Sequence, residues 1–148
     1  MGAAGRGGAG RLSEAARILV RMSDSIKFGS VALECPDAGQ LAAFYAEITG
    51  GTVTSADEEW ATVKCPGGDL DFQTAPGYQP PAWPDPSSSM QMHLDFLVDD
   101  PDAAEARVLA AGATKFGFQP GDHFRVYADP AGHPFCLCVD GEGPPSQA

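Results

Sequence analysis

The stretch "HLDFLVDD" (residues 93–100) decides the fold, because "SVALECPD" (residues 30–37) repeats its pattern earlier in the chain. Apolar side chains alternate along both stretches, as in a half-buried strand, and each stretch ends on an aspartate. Asp37, with Gln40 three residues later, and Asp100, with Pro101 directly after it, are predicted to cap helices. Both predicted helices stop at glycine, in "TGGT" and "AGAT". The chain therefore contains two copies of one unit.

The second half of each unit also repeats. "WATVKCPGGDLDFQ" (residues 60–73) and "FRVYADPAGHPFCLC" (residues 124–138) each read as strand, Pro/Gly turn and strand. The predicted fold is α+β, with two paired βαβββ modules that form a curved mixed sheet around a concave pocket. We assign a single domain to residues 26–142, made of repeats 26–75 and 89–142 and a Pro-rich connector 76–88. We expect a disordered leader (1–25) and a disordered tail (143–148).

Composition excludes several classes of function. The 148 residues are 43% hydrophobic, enough for one domain with a core, and carry a net charge of -11. Such a surface repels nucleic acid and anionic membranes, and no apolar run approaches the roughly 20 residues that span a bilayer. Four cysteines without a CxxC pair, and no secretory signal, predict reduced thiols in a cytoplasmic protein.

Strand parity predicts which polar side chains share a face. In the second copy Leu94, Phe96 and Val98 point towards the helix, so His93 and Asp95 point the other way. The same alternation, applied to all strands, gives a polar set that could line one concave surface: Ser30, Glu34, Asp71, Gln73, His93, Asp95, Cys136 and Cys138.

At this point the chain resembles a known family. "FYAEITGG", "GYQPPAWPDP", "QMHLDFLVDD", "AEARVLAAGATK" and "FRVYADPAGHPFCLC" cover roughly residues 27–140. They are similar to the vicinal oxygen chelate superfamily, which includes glyoxalase I, bleomycin-resistance proteins and extradiol dioxygenases, and most of all to its short bacterial glyoxalase-like domain proteins. The resemblance implies the paired-module fold and a homodimer. It leaves the activity open, because one fold hosts many chemistries.

The resemblance also implies where a metal would bind. Metal-using members take ligands from the first and last strands of each half, which here gives Ser30, Asp71, His93 and Cys136. His93 alone is a standard ligand at its position, and a thiolate at Cys136 suits Zn²⁺ rather than harder ions. We therefore assign no cofactor. Were a divalent metal to bind, Asp71, His93 and Cys136 would be its ligands.

The candidate site centres on His93. As a catalytic group it would act as general acid or base beside Asp95 and Glu34, and the alternative is a histidine bonded to a backbone carbonyl or a nearby acid. His123 and His133 are expected to be exposed loop residues. The candidate substrate-binding residues are Ser30, Trp60, Asp71, Phe72, Trp83, Phe124, Tyr127 and Cys136; for the aromatic ones and for Cys136 the alternative is ordinary packing.

Two functions remain open at this level, beside a third reading as a structural or interaction module with a vestigial site. The first is a glyoxalase-like pocket for a small organic metabolite, with lyase or isomerase chemistry. The second is a metal-free binding protein of the drug-sequestering, resistance type. Both require a small-molecule ligand and neither names it.

Overall fold

The computed structural model describes residues 13–15 and 26–139. The predicted leader, apart from residues 13–15, and the predicted tail lie outside the described residues. From residue 30 onwards the same order of elements occurs twice. The first module comprises β1 Ser30–Cys35, α1 Ala38–Thr49, β2 Thr52–Ala56, β3 Trp60–Cys65 and β4 Gly68–Thr74. The second comprises β5 Leu94–Val98, α2 Pro101–Ala111, β6 Thr114–Lys115, β7 Phe124–Ala128 and β8 Pro134–Val139.

Each module forms its own four-stranded mixed sheet. The strand orders are β1-β4-β3-β2 and β5-β8-β7-β6, with the first strand parallel to the last and the other pairs antiparallel. The predicted α+β class with two βαβββ modules is confirmed. Within residues 26–139 no strand of one sheet pairs with a strand of the other, so the sheet is not continuous.

The predicted helix ends are confirmed. The Asp37 side chain accepts a hydrogen bond from the backbone N–H of Gln40 at 2.9 Å. The Asp100 side chain accepts from two backbone N–H groups of the first turn of α2, and Pro101 occupies the first helical position. Both helices end at a glycine with left-handed backbone, Gly50 (φ 70°) and Gly112 (φ 115°). No helix among the described residues is both long enough and apolar enough to cross a membrane.

One aromatic core joins the two modules. Tyr45 of α1 is fully buried and its ring stacks on Phe72 of the first sheet, with 5.3 Å between centroids. The same ring lies 6.0 Å from Phe96 and 6.5 Å from Phe135, both in the second sheet. Helix α1 therefore packs against residues of both sheets. The polar side chains of each sheet lie on the face away from this core, because side chains alternate along a strand.

A buried polar chain reinforces the same junction. The Tyr45 hydroxyl donates to Asp129 Oδ2 at 2.8 Å, and His133 Nδ1 lies 2.8 Å from the same oxygen. His133 Nε2 lies 3.0 Å from the Tyr78 hydroxyl of the connector. The expectation of an exposed His133 is wrong: its side chain is only 17% exposed. The sequence does not reveal this, because the partners of His133 come from a distant helix and from the connector.

Helix α2 is held to its sheet by a charged cluster around Glu105. Glu105 Oε2 accepts hydrogen bonds from Lys115 (2.7 Å), Tyr127 (2.5 Å) and Arg125 (3.1 Å). These donors, Lys115 first, lower the pKa of Glu105 to about 2. Glu105 therefore stays ionised throughout the neutral range and fixes α2 against β6 and β7.

Candidate functional site

On the first sheet, Asp71 is surrounded by donors from its own sheet. Ser30 Oγ donates to one carboxylate oxygen, and Thr62 Oγ1 donates to the other at 2.6 Å. These hydrogen bonds, that of Ser30 first, lower the pKa of Asp71, and the Trp60 side chain contributes a further one. Both oxygens are therefore engaged before any ligand arrives. The arrangement explains why Ser30, Trp60 and Asp71 lie together, but it leaves Asp71 few lone pairs for a metal ion.

On the second sheet, the structure brings three potential donor side chains together. His93 Nε2 lies 3.2 Å from Asp95 Oδ1. Asp95 pairs with Cys136 across β5 and β8, and one donor atom from each of His93, Asp95 and Cys136 lies within 4.8 Å of the others. The side chains of His93 and Asp95 are 20% and 42% exposed, so solvent reaches them. Cys136 is buried beneath them.

The two cysteines of this face are inert thiols at neutral pH. Burial, followed by the charge of Asp95, raises the pKa of Cys136 to about 12 and that of Cys138 to about 11. The thiolate is the reactive form, so neither cysteine is activated as a nucleophile in this state. Asp95 lies close to both His93 and Cys136.

An aromatic cluster packs against the same face. Trp83, Phe116 and Phe124 contact the buried group formed by Val126, Cys136 and Cys138. The Trp83 and Phe116 rings meet edge to face, with 4.7 Å between centroids. Trp83 and Phe124, two of the predicted pocket residues, thus lie beside the thiols.

Two predicted pocket residues belong to the core. Phe72 and Tyr127 are both fully buried, on the helix-facing sides of β4 and β7. Tyr127 stacks on Phe135 with 5.6 Å between centroids, and its hydroxyl binds Glu105. Both rings are packed in the core, and their role as ligand contacts stays a prediction. The concentration of aromatic residues near the presumed pocket rim suggested ligand contacts. Because side chains alternate along β4 and β7, both rings instead face the core.

Glu34, the third predicted catalytic residue, is exposed on β1. In the described part of the chain, the donor group around His93 includes neither Glu34 nor Asp71. The four positions that the resemblance implied for a metal are thus divided. Ser30 and Asp71 bind each other on the first sheet, whereas His93 and Cys136 lie with Asp95 on the second. That four-residue ligand set does not fit a single ion within this chain.

A cleft of about 780 Å³ lies between the modules. Its walls come from β1, β4 and the end of α1 on one side, and from β5 and α2 on the other, and Asp95 is among them. Sequence reasoning missed most of its apolar lining, because these residues look like ordinary core: Phe28, Val31, Ile48, Leu70, Leu94 and Phe96. The charged lining residues are four aspartates and Arg107, whose guanidinium binds the Glu47 carbonyl oxygen.

Comparison with known proteins identifies the family. The glyoxalase-like domain family matches residues 30–138. No curated protein matches the chain in a sequence comparison. Many solved structures share the fold.

Three of these structures illustrate the range of proteins on this fold. A glyoxalase/bleomycin resistance protein from Albidiferax ferrireducens is 22% identical, with a TM-score of 0.55 over 76% of this chain and 97% of that one. A lactoylglutathione lyase from Agrobacterium tumefaciens is 19% identical, with a TM-score of 0.55 over 79% and 96%. A fosfomycin resistance protein from Listeria monocytogenes is 14% identical, with a TM-score of 0.62 over 80% and 96%. At these identities the likeness concerns the fold alone.

Proposed function

The chain belongs to the glyoxalase-like domain family, and from this premise we propose that it binds a small organic metabolite in the cleft between its modules and transforms it by proton transfer, as a lyase or isomerase. The observation that carries the proposal is the His93–Asp95 pair, 3.2 Å apart. Asp95 lines the cleft, as does Leu94, the residue after His93, whereas His93 itself is not part of the lining and would have to reach a ligand from the end of β5. A cleft of about 780 Å³ falls within the range of small-molecule sites.

The chemistry follows from the pair. Asp95 Oδ1 lies 3.2 Å from Nε2 of His93 and orients the ring, which leaves Nδ1 to exchange a proton with the substrate. A histidine oriented by a carboxylate is a common general acid or base. Trp83 and Phe124 shield the neighbouring thiols, and the half-exposed Asp95 keeps the pair open to an entering ligand.

The cleft also restricts the substrate. Its walls are largely apolar, and its four aspartates outnumber the one guanidinium. An anionic ligand would therefore be repelled, whereas a neutral or cationic molecule with an apolar body would be favoured. We expect lactoylglutathione and fosfomycin, the anionic compounds in the names of two structural neighbours, to bind weakly.

His93→Ala is expected to lower kcat/KM at least about 100-fold, since general acid–base catalysis contributes roughly 10²–10⁴. Asp95→Asn should lower it less, because the imidazole remains. The substrate would first be found by thermal-shift screening of neutral and cationic metabolites, and its turnover then measured for each variant. His123→Ala, which removes an exposed histidine elsewhere on the second module, is the matched control. Full activity in His93→Ala would remove the enzymatic proposal.

The second candidate function is a binding protein of the resistance type. The inert thiols and the aromatic cluster around Cys136 favour it, because such a site can hold a ligand without reacting with it. Calorimetry would distinguish the two. A ligand that binds the cleft and is recovered unchanged, with equal affinity in His93→Ala, would support sequestration over catalysis.

We also propose that the protein acts in the cytoplasm as a homodimer. The edges of β1 and β5 are unpaired among the described residues and border the cleft, and large exposed apolar side chains lie beside them, including Phe28, Met92 and Leu97. Unpaired edges with apolar flanks favour association, and twofold dimers are the commonest oligomers. Sedimentation should give twice the chain mass, and Leu97→Lys, at a position 68% exposed, should shift it towards monomer. A wild-type protein that sediments as a monomer would contradict the homodimer proposal.

A further inference from the structure

We propose that His93, Asp95, Cys136 and Cys138 form a zinc site built entirely within the second module. This goes beyond the proposed function and does not rest on it. The ligand set differs from the four positions implied by the family resemblance, because Asp95 and Cys138 replace Ser30 and Asp71.

The geometry supports one ion. A nitrogen, a carboxylate oxygen and a sulfur atom already lie within 4.8 Å of one another. Ligands at the usual zinc distances of roughly 2.0–2.3 Å lie within about 4 Å of each other, so rotamer changes are sufficient to close the group. Cys138 lies outside this group of three and would complete the site as a fourth ligand from the same face of β8.

The scaffold is rigid where the donors are. Asp95 and Cys136 are paired residues of adjacent parallel strands, and Cys138 follows two residues later on the same face of β8. Val126 and Phe124 of β7 pack beside them. Donors fixed on sheet strands lose little freedom when an ion binds, which favours affinity.

The chemistry of the donors selects the metal. Two sulfur atoms, one imidazole and one carboxylate suit a tetrahedral, borderline-soft ion, and Zn²⁺ is the usual choice for mixed sulfur and nitrogen sites. Mg²⁺ and Ca²⁺ prefer oxygen donors throughout and would be rejected. Two thiolates would by themselves balance the charge of the ion, which matters because both cysteines are buried, and the carboxylate comes from the partly exposed Asp95.

Zinc and proton transfer would compete for His93. An ion on Nε2 takes the position now held by Asp95 and leaves Nδ1 as a donor only. The zinc-loaded protein should therefore lose proton transfer at this histidine. Metal binding can be measured without any substrate, so failure of the zinc proposal is distinguishable from failure of the enzymatic one.

The test uses the untagged full chain with Zn²⁺ and Co²⁺ as probes. We expect one ion per chain by calorimetry and elemental analysis, and sulfur-to-cobalt charge-transfer absorption with Co²⁺. Cys136→Ser should abolish that absorption and weaken Zn²⁺ binding more than about 100-fold, since even outer-shell partners contribute roughly 10–100-fold. Cys65→Ser, a free cysteine of the first module, is the matched control and should bind like the wild type.

Cys136 is buried, so Cys136→Ser could lose zinc binding simply by misfolding. His93→Ala and Asp95→Asn provide an independent test, because both side chains are partly exposed. Each should weaken Zn²⁺ binding at least about tenfold, in line with the loss of a ligand. The proposal is overturned if the wild type binds no Zn²⁺, if the Co²⁺ form lacks sulfur charge transfer, or if neither of these two variants changes the affinity.

Discussion

Replacing Phe135 with alanine is expected to lower the free energy of unfolding by about 3–5 kcal/mol, the usual cost of truncating a buried phenylalanine. Phe135 is fully buried in β8. Its ring lies 6.0 Å from Phe44 and 6.5 Å from Tyr45 of α1, 6.0 Å from Phe96 of β5 and 5.6 Å from Tyr127 of β7. These neighbours come from both modules, so no single segment can move to fill the cavity.

Urea denaturation would measure this effect, with the slope of the transition checked against that of the wild type. Phe118→Ala is the matched control, because the Phe118 side chain is 56% exposed and touches mainly Trp83. Its cost should stay below about 1 kcal/mol. A Phe135 variant no less stable than the Phe118 variant would mean that the two modules do not share this core.

The elements of the fold could be predicted because their signals are local. Alternation within "SVALECPD" and "HLDFLVDD", the capping aspartates and the terminal glycines each depend on a few neighbouring residues. The structure reproduces these features at Asp37, Asp100, Gly50 and Gly112. Because the pattern occurs twice, it also predicts two modules with the same order of strands and helix.

The arrangement of the modules could not be predicted, because it depends on contacts distant in sequence. Tyr45 contacts Phe135, 90 positions later, and neither local sequence predicts this contact. The apolar lining of the cleft was missed for the same reason: residues such as Val31 and Ile48 carry the pattern of core residues. Whether an apolar side chain fills a core or borders a cleft is decided by how two finished modules meet.

The candidate site was predicted in part. Parity placed His93 and Asp95 on one face, but regular strand spacing of about 6–7 Å separates residues two apart. In the structure β5 begins only at Leu94, and the backbone before it is irregular, with Gln91 at φ 62°. His93 thus lies just outside the strand, where its ring can reach Asp95. Pairing of Asp95 with Cys136 required the register between β5 and β8, which the sequence alone does not fix.

Replacing Asp129 with alanine is expected to lower the free energy of unfolding by about 3 kcal/mol, since each buried donor left without a partner costs roughly 1–3 kcal/mol. The Asp129 carboxylate is buried and accepts four hydrogen bonds. They come from the Tyr45 hydroxyl, His133 Nδ1 and the backbone N–H groups of Ala131 and His133. An ionised carboxylate only accepts, so Nδ1 of His133 carries the proton in this contact. Alanine would leave Tyr45, which is fully buried, with no acceptor.

A double-mutant cycle tests whether this chain couples the modules. Tyr45→Phe alone should cost about 1 kcal/mol, because it removes one hydrogen bond but leaves three on Asp129. Combined with Asp129→Ala it should cost nothing further, because the orphaned hydroxyl is gone, so the two effects should not add. Asp122→Ala, in an exposed loop, is the matched control and should change stability by less than about 0.5 kcal/mol. Simple additivity of Tyr45→Phe and Asp129→Ala would show that the helix of the first module and the β7–β8 loop of the second are not joined by this bond.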